Sequence, residues 1–268
     1  MEYFGISNKD PANNPFIKDF NLFPFIKKEN LLNSINIKES ETVHDNTDYH
    51  HCSVPILYEY RNKESLKKIW DGIKDGDIVT NRGAKRSLAA GKSNLKIEKK
   101  LVKISDREKT IYLISRGEKK KLTSAKFNSG YQAEANVFER PLKDYTIYRY
   151  IKRFNEDLKC FEHYTCEIDG FIKKENRNFL PVEFKCFTSP NIDDLFFERM
   201  WKINTVIQCK LAGIENLIIG ARNSERMKLY YYNVGDFESD VKNSVRLSLL
   251  SMNKNMKELV KTEKVPEY

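Results

Sequence analysis

The sequence has no uninterrupted apolar run of membrane-spanning length, no pair of cysteines at C-x-x-C spacing and no internal repeat. Its opening, MEYFGISNKDPANNP, lacks both the basic and the apolar stretch of a secretory leader. The five cysteines, Cys52, Cys160, Cys166, Cys186 and Cys209, are odd in number, and none lies at zinc-ligand spacing from a second cysteine and two histidines. These absences argue against a disulfide scaffold, a zinc module and a membrane partner, and the thiols read as reduced. The nearest approach to a metal cluster, His50-His51-Cys52 with His44, has no second half and reads as a surface loop. The protein is expected inside the cell, in the nucleus with the cytoplasm as the alternative, although Lys119-Lys120-Lys121 is too short to be a nuclear signal.

What is present is enough to fold. Of 268 residues, 40% are hydrophobic and 12% aromatic, which supplies a substantial core. Lys and Arg number 47 against 38 Asp and Glu, a formal charge of +9, so the surface attracts polyanions. A lysine-rich composition gives the same balance without nucleic acid, so charge favours a nucleic-acid partner without fixing one.

Residues 1–55 are rich in Asn, Lys, Asp and Ser and hold aromatics (Phe16, Phe20, Phe23, Phe25) without a period. They read as an extension with little structure of its own, able to dock on the body through those rings. Residues 56–268 read as a single catalytic domain. Leu66, Ile69, Trp70 and Ile73 mark an amphipathic helix capped at Asn62 or Ser65 and ending near Gly76. Leu95–Ile104 and Thr110–Ser115 form a predicted hairpin, and a short helix is expected around Tyr131–Phe138. Tyr164–Ile172 and Phe179–Phe187 read as a second antiparallel hairpin joined by the polar loop 173–178. Ser189-Pro190 starts and Gly213 ends a predicted long helix. Strands at Asn216–Gly220 and Lys228–Val234 and a helix at Val241–Lys261 follow. This order predicts an α+β fold, a mixed β-sheet core with flanking helices.

Chemistry concentrates in Cys166-Glu167-Ile168-Asp169-Gly170 and Pro181-Val182-Glu183-Phe184-Lys185-Cys186. Strand residues two apart share a face, so Glu167 with Asp169, and Glu183 with Lys185, can meet on one side of the hairpin, leaving Cys166, Ile168, Val182, Phe184 and Cys186 for burial. Carboxylates so close raise one another's pKa unless a cation sits among them, and an all-oxygen set selects Mg²⁺ or Mn²⁺. A lysine two residues from a ligand can orient the attacking water or counter charge at the phosphorus. The pattern resembles the E-x-D…E-x-K core of PD-(D/E)XK nucleases. Glu98-Lys99-Lys100 and Glu118-Lys119-Lys120 also match E-x-K, but neither has an acidic partner strand upstream or an apolar middle residue.

Further motifs carry a closer likeness. Asp77-Ile78-Val79-Thr80-Asn81-Arg82-Gly83, Gly130-Tyr131-Gln132-Ala133-Glu134, CEIDG, PVEFK, and Gln208-Cys209-Lys210-Leu211-Ala212-Gly213 with Leu217-Ile218-Ile219-Gly220-Ala221-Arg222 resemble, in order and spacing, the DXO/Rai decapping nucleases. The resemblance implies that Glu134, Asp169 and Glu183 hold metal with the main-chain carbonyl of Phe184, and that Glu167 acts through bound water. It implies two divalent ions. Lys185 and Gln208 would position the water or the scissile phosphate, and Arg82 would contact the RNA backbone. The implied substrate is an RNA 5′ end carrying a triphosphate, an incomplete cap or an NAD-type cap, or a 5′-monophosphate in 5′-to-3′ exonucleolytic degradation. The first internucleotide phosphate would lie at the metals.

The alternatives are a DNA nuclease with the same core and a non-catalytic partner of a separate 5′-to-3′ exoribonuclease. The chain departs from the family at Asn81 (usually aromatic), Ala133 (usually larger) and Cys166 (usually glycine), and it is shorter after the last strand. Those changes bear on the substrate pocket and leave the acidic set whole.

Overall fold

Alternating runs in the sequence become two mixed sheets in the computed structural model, which describes residues 2–7, 22–27, 35–36, 54–92, 94–104, 107–116, 130, 133–141, 145–173, 179–223 and 225–263. The first sheet has six strands in the order β1 (Glu2–Ser7), β8 (Tyr145–Asn155), β9 (Cys160–Ile168), β4 (Ile78–Asn81), β6 (Arg107–Arg116) and β5 (Leu95–Ile104). Only β4 pairs in parallel, with β9 on one side and β6 on the other. The second sheet has seven: β3 (Ile35–Asn36), β13 (Arg226–Asn233), β12 (Asn216–Arg222), β11 (Phe179–Phe187), β10 (Gly170–Lys173), β2 (Phe25–Ile26) and β7 (Phe138–Glu139). The helices are α1 (Ile56–Glu59), α2 (Lys67–Asp71), α3 (Arg82–Ala89), α4 (described over 133–137), α5 (Arg199–Ala212), α6 (Val234–Phe237) and α7 (Lys242–Glu263). This is the expected α+β class, with two mixed sheets.

The main core joins the sheets: Cys166 and Ile168 of β9, Phe171 of β10, and Leu217 and Ile219 of β12 meet the apolar faces of α3, α5 and α7. A second cluster covers the other face of the first sheet with Leu66, Ile69, Trp70 and Ile73, the predicted amphipathic stripe. A third lies between Ala133 and Val137 of α4 and Val182, Phe184 and Ile218 of the second sheet. The strand β11, helix α5 and strand β12 form a parallel crossover, since Val182↔Asn216 through Phe187↔Ala221 run in the same direction. Its return depends on Gly213, which sits at φ 62° at the end of α5, where the Arg149 guanidinium, bonded to the carbonyls of Ala212 and Gly213 at 2.6 and 2.7 Å, leaves little space for a Cβ.

Several boundaries differ from expectation. The hairpin β5–β6 pairs from Leu95↔Arg116 to Ile104↔Arg107, so its second strand starts at Arg107. The amphipathic helix starts with a 3₁₀ turn, Glu64–Leu66, behind Lys63, which gives no side-chain cap, and ends at Gly72. Pro190 does not start the long helix. Asn191 caps a 3₁₀ turn, Ile192–Phe197, by accepting from Asp193 N at 3.1 Å, and α5 begins only at Arg199. Phe138, placed in the short helix, instead opens β7; Tyr131 and Gln132 lie outside the described residues, as do the His44–Cys52 cluster and Lys119–Lys121.

The largest difference concerns Tyr164–Ile172, which is two strands. β9 ends at Ile168 in the first sheet; β10 starts at Gly170 in the second and pairs Gly170↔Val182 to Lys173↔Phe179. Asp169 is the residue at which the chain changes sheets. The N-terminal segment also adds strands to both sheets, β1 beside β8 and β2 beside β10. Phe23 stacks on Phe171 and Phe25 tilts against Phe179, whereas Phe16 and Phe20 lie outside the described residues.

Candidate active site

Five elements converge on Glu183. It stands in the middle of β11, fully buried between flanking strands β10 and β12. At the end of β4 the extended residue Asn81 accepts from Ala84 N at 2.8 Å, an N-cap that turns the chain into α3 and makes Arg82 its first residue. Arg82 then donates to Glu183 Oε2 at 2.8 Å. Lys185, two residues along the same strand face, donates to Glu183 Oε1 at 2.5 Å and to the carbonyl of Phe184 at 3.2 Å. From α5, Gln208 Nε2 also reaches Glu183 Oε1 at 2.5 Å, while its own oxygen accepts from Arg86 at 2.9 Å.

Asp169, at the sheet switch, accepts from the backbone N–H of Phe184 at 2.7 Å, which locks β9 and β10 onto β11 beside Glu183. Glu134 projects from α4 and pairs with Arg140, which also donates to the Asp169 carbonyl at 3.3 Å. Glu167 is half-buried one residue before the end of β9, close enough to act electrostatically on Glu134 and Arg82. The structure thus brings together Arg82, Glu134, Glu167, Asp169, Glu183, Phe184, Lys185 and Gln208. Of the residues left for burial, Cys166, Ile168, Val182 and Phe184 lie in the core, whereas Cys186, near the end of β11, is only half-buried.

The carboxylates are not equivalent. Burial would raise Glu183, but Arg82 and Lys185 outweigh it and hold the group below the usual carboxylate range. Asp169 is driven well above that range by burial and then by the charge of Glu183, which Lys185 only partly offsets. Glu134 is pushed up to about 7, first by burial, with Glu167 and Glu183 raising it against Arg140 and Lys185. Burial lowers Lys185, yet Glu183 and Asp169 carry it above the ordinary lysine value. Burial and neighbouring carboxylates therefore disfavour the charged form of two of the acids, a cost that a directly bound cation relieves.

Among the described residues, no three His, Cys, Asp or Glu side chains are gathered closely enough to hold a metal as they stand. The geometry gives the reason. Arg82 and Lys185 occupy Glu183, and Arg140 occupies Glu134. The donor set itself fits a hard divalent cation: Glu134, Asp169, Glu183 and the Phe184 carbonyl present oxygen alone, and the pushed-up pKa values of Glu134 and Asp169 mark where positive charge is wanted.

Sequence reasoning missed Arg86 and Arg140. Arg86 was within reach, because it lies four residues after Arg82 on the same helix face. Arg140 lies only six residues beyond Glu134, but it follows a two-residue strand that carries no periodic signal.

No protein-family model matches the sequence, and no curated protein matches it. Solved structures do match the fold. The Kluyveromyces lactis Dxo1 structure in complex with manganese is 14% identical, with a TM-score of 0.64 over 100% of this chain and 83% of that one. The Scheffersomyces stipitis Rai1 structure with 3′-NADP⁺ and calcium is 14% identical, with a TM-score of 0.62 over 99% of this chain and 81% of that one. The Candida albicans Rai1 structure with pU5 and Mn²⁺ is 11% identical, with a TM-score of 0.61 over 99% and 81%. The chain has their fold along essentially its whole length. Among its described residues, no helix is long and apolar enough to cross a membrane.

Proposed function

We propose that this chain, sharing its fold with the Rai1 and Dxo1 structures, is a metal-dependent RNA 5′-end hydrolase that removes incomplete or non-canonical caps. The observation that supports it is the meeting, in that fold, of three oxygen donors (Glu134, Asp169, Glu183) with Lys185, Gln208 and Arg82 around one buried carboxylate. Glu134, Asp169, Glu183 and the Phe184 carbonyl would hold two divalent ions, Mg²⁺ or Mn²⁺, with Glu167 acting through water. Ions bound there supply an activated water and neutralise charge at the phosphate.

The chain's own residues do the rest. Lys185 turns its ammonium from Glu183 toward the charge that develops on the phosphoryl oxygens. Gln208, fixed by Arg86, presents its amide N–H groups to the water or the phosphate. Arg82 grips the backbone and sets the phosphate in line for attack. An NAD-type dinucleotide and a 5′-phosphorylated oligonucleotide bound to proteins of this fold support the choice of an RNA end over DNA.

The test is incubation of purified protein and Mn²⁺ or Mg²⁺ with RNAs that differ only at the 5′ end, followed by chromatography of the products. On this reading the first internucleotide phosphate would lie at the ions, so capped RNA should release an intact cap dinucleotide. Release of a free guanosine nucleotide, with the first transcribed nucleotide retained, would refute that placement. Inertness toward every RNA end would refute the function.

A further inference from the structure

The cleft that holds the carboxylates also holds more guanidinium than they can pair. Arg82 and Arg86 lie one turn apart on α3, and Arg116, the last residue of β6, reaches across the backbone of Gly83. A Cβ on Gly83 would stand 3.1 Å from Arg116 Nη1 and 3.2 Å from its Cδ, so the glycine provides the seat for that side chain. Of the three, Arg82 has Glu183 as its anion. Among the described residues, Arg86 bonds only a neutral amide oxygen, that of Gln208. Arg116 has no acidic partner among the described residues, and its buried Nε has no hydrogen-bond partner.

Such crowding costs stability. Burial, then the charges of Arg82 and Arg116, push Arg86 below its ordinary pKa, and burial pushes Arg116 the same way. The ligand that relieves it must be an anion able to accept several N–H groups at once, which describes a phosphate met by guanidinium forks. Arg82 and Lys185 already serve the phosphate to be cleaved.

We propose that Arg86 and Arg116, with Arg116 seated on Gly83, hold the phosphate next to the scissile one, so that RNA is gripped through two successive phosphates. The proposal rests on the hydrolase reading above. That phosphate is either the 5′-terminal group or the next backbone linkage, and the two sources separate by experiment.

Affinity is measured with the full-length protein in chelator, using 3′-labelled pU5, the same oligonucleotide with a 5′-hydroxyl, and pU5 with one methylphosphonate at each linkage in turn. Arg116→Met should keep or raise the melting temperature, since it removes an unpaired cation, while weakening pU5 binding about tenfold. The slope of log affinity against log salt should shrink by about 0.7. Arg116→Lys should recover part of the loss, and Gly83→Ala should reproduce part of it by displacing the fork.

For one probe, the loss should vanish. With the 5′-hydroxyl probe this marks the terminal phosphate; with a methylphosphonate probe it marks that linkage. Unchanged affinity and slope in Arg116→Met, or an equal loss on every probe, would overturn the proposal. Arg116-dependent binding without cleavage in Mn²⁺ would instead retain the phosphate site and overturn the hydrolase reading.

Discussion

Helix α3 contributes a cation to each of two buried charge clusters, and they are built on opposite principles. In the first, Lys85 and Glu162 pair one to one, both almost wholly out of solvent. Asn155 donates to the second oxygen of Glu162 at 2.6 Å, and the Lys85 ammonium lies 4.6 Å from the Tyr164 ring centroid. Burial lowers the Lys85 pKa, and Glu162 restores part of the loss. The groups there have partners and no ligand has access. In the second, the cleft holds carboxylates driven upward, guanidinium groups of Arg86 and Arg116 with no carboxylate partner among the described residues, and Glu183 shared among three donors. Buried charge alone is therefore no mark of function; charge left uncompensated in a cleft is.

The comparison can be broken most forcefully at the acids. Glu183→Gln or Asp169→Asn should lower turnover by on the order of 10³-fold or more while the protein stays folded, because each swap keeps volume and removes a charge needed for metal. The amide is the better probe at Glu183, since alanine would leave Arg82 and Lys185 buried without their anion. Undiminished hydrolysis by folded Glu183→Gln protein would remove the site from the reaction.

At the Lys85–Glu162 pair the effect should fall on stability. Lys85→Met strands the Glu162 carboxylate and should cost about 3–5 kcal/mol in denaturant unfolding, with turnover per folded molecule retained. The double variant Lys85→Met with Glu162→Met should recover most of that loss. If Lys85→Met instead inactivated a fully stable protein, the two clusters would not differ as described.

A smaller contrast lies inside the cleft. Lys185→Ala should reduce turnover by about 10²-fold with little change in RNA affinity, since its ammonium answers charge that develops during reaction. Arg82→Ala should act more on affinity. An identical split between turnover and affinity in both variants would merge their roles.

Much of this site could be read in the sequence because its central part is local. Glu183, Phe184 and Lys185 follow strand alternation on β11, and Gln208 lies on a helix ended by Gly213, where glycine takes the left-handed conformation. The hairpin β5–β6 was legible for the same reason, with two long patterned strands and a short turn. What escaped depends on distant pairing. The change of sheet at Asp169 has no local mark, because Glu167 and Gly170 belong to one uninterrupted strand-like run whose partners, β8 and β11, lie on opposite sides in sequence. β2 and β7 have two residues each, too few to carry a period, so neither their pairing nor the turn that sets Arg140 beside Glu134 left a pattern to read. Arg116 looked like the end of a hairpin strand; only the fold lays it across Gly83.

The central claim is that the uncompensated acids in the cleft are a divalent-metal site, and calorimetric titration of Mn²⁺ into metal-free protein tests it directly. Wild-type protein and the Lys85→Met, Glu162→Met double variant should bind Mn²⁺ alike, and Asp169→Asn and Glu183→Gln should lose that binding while remaining folded. Mn²⁺ bound equally well by the Asp169→Asn and Glu183→Gln proteins, or not bound by wild-type protein at all, would contradict it.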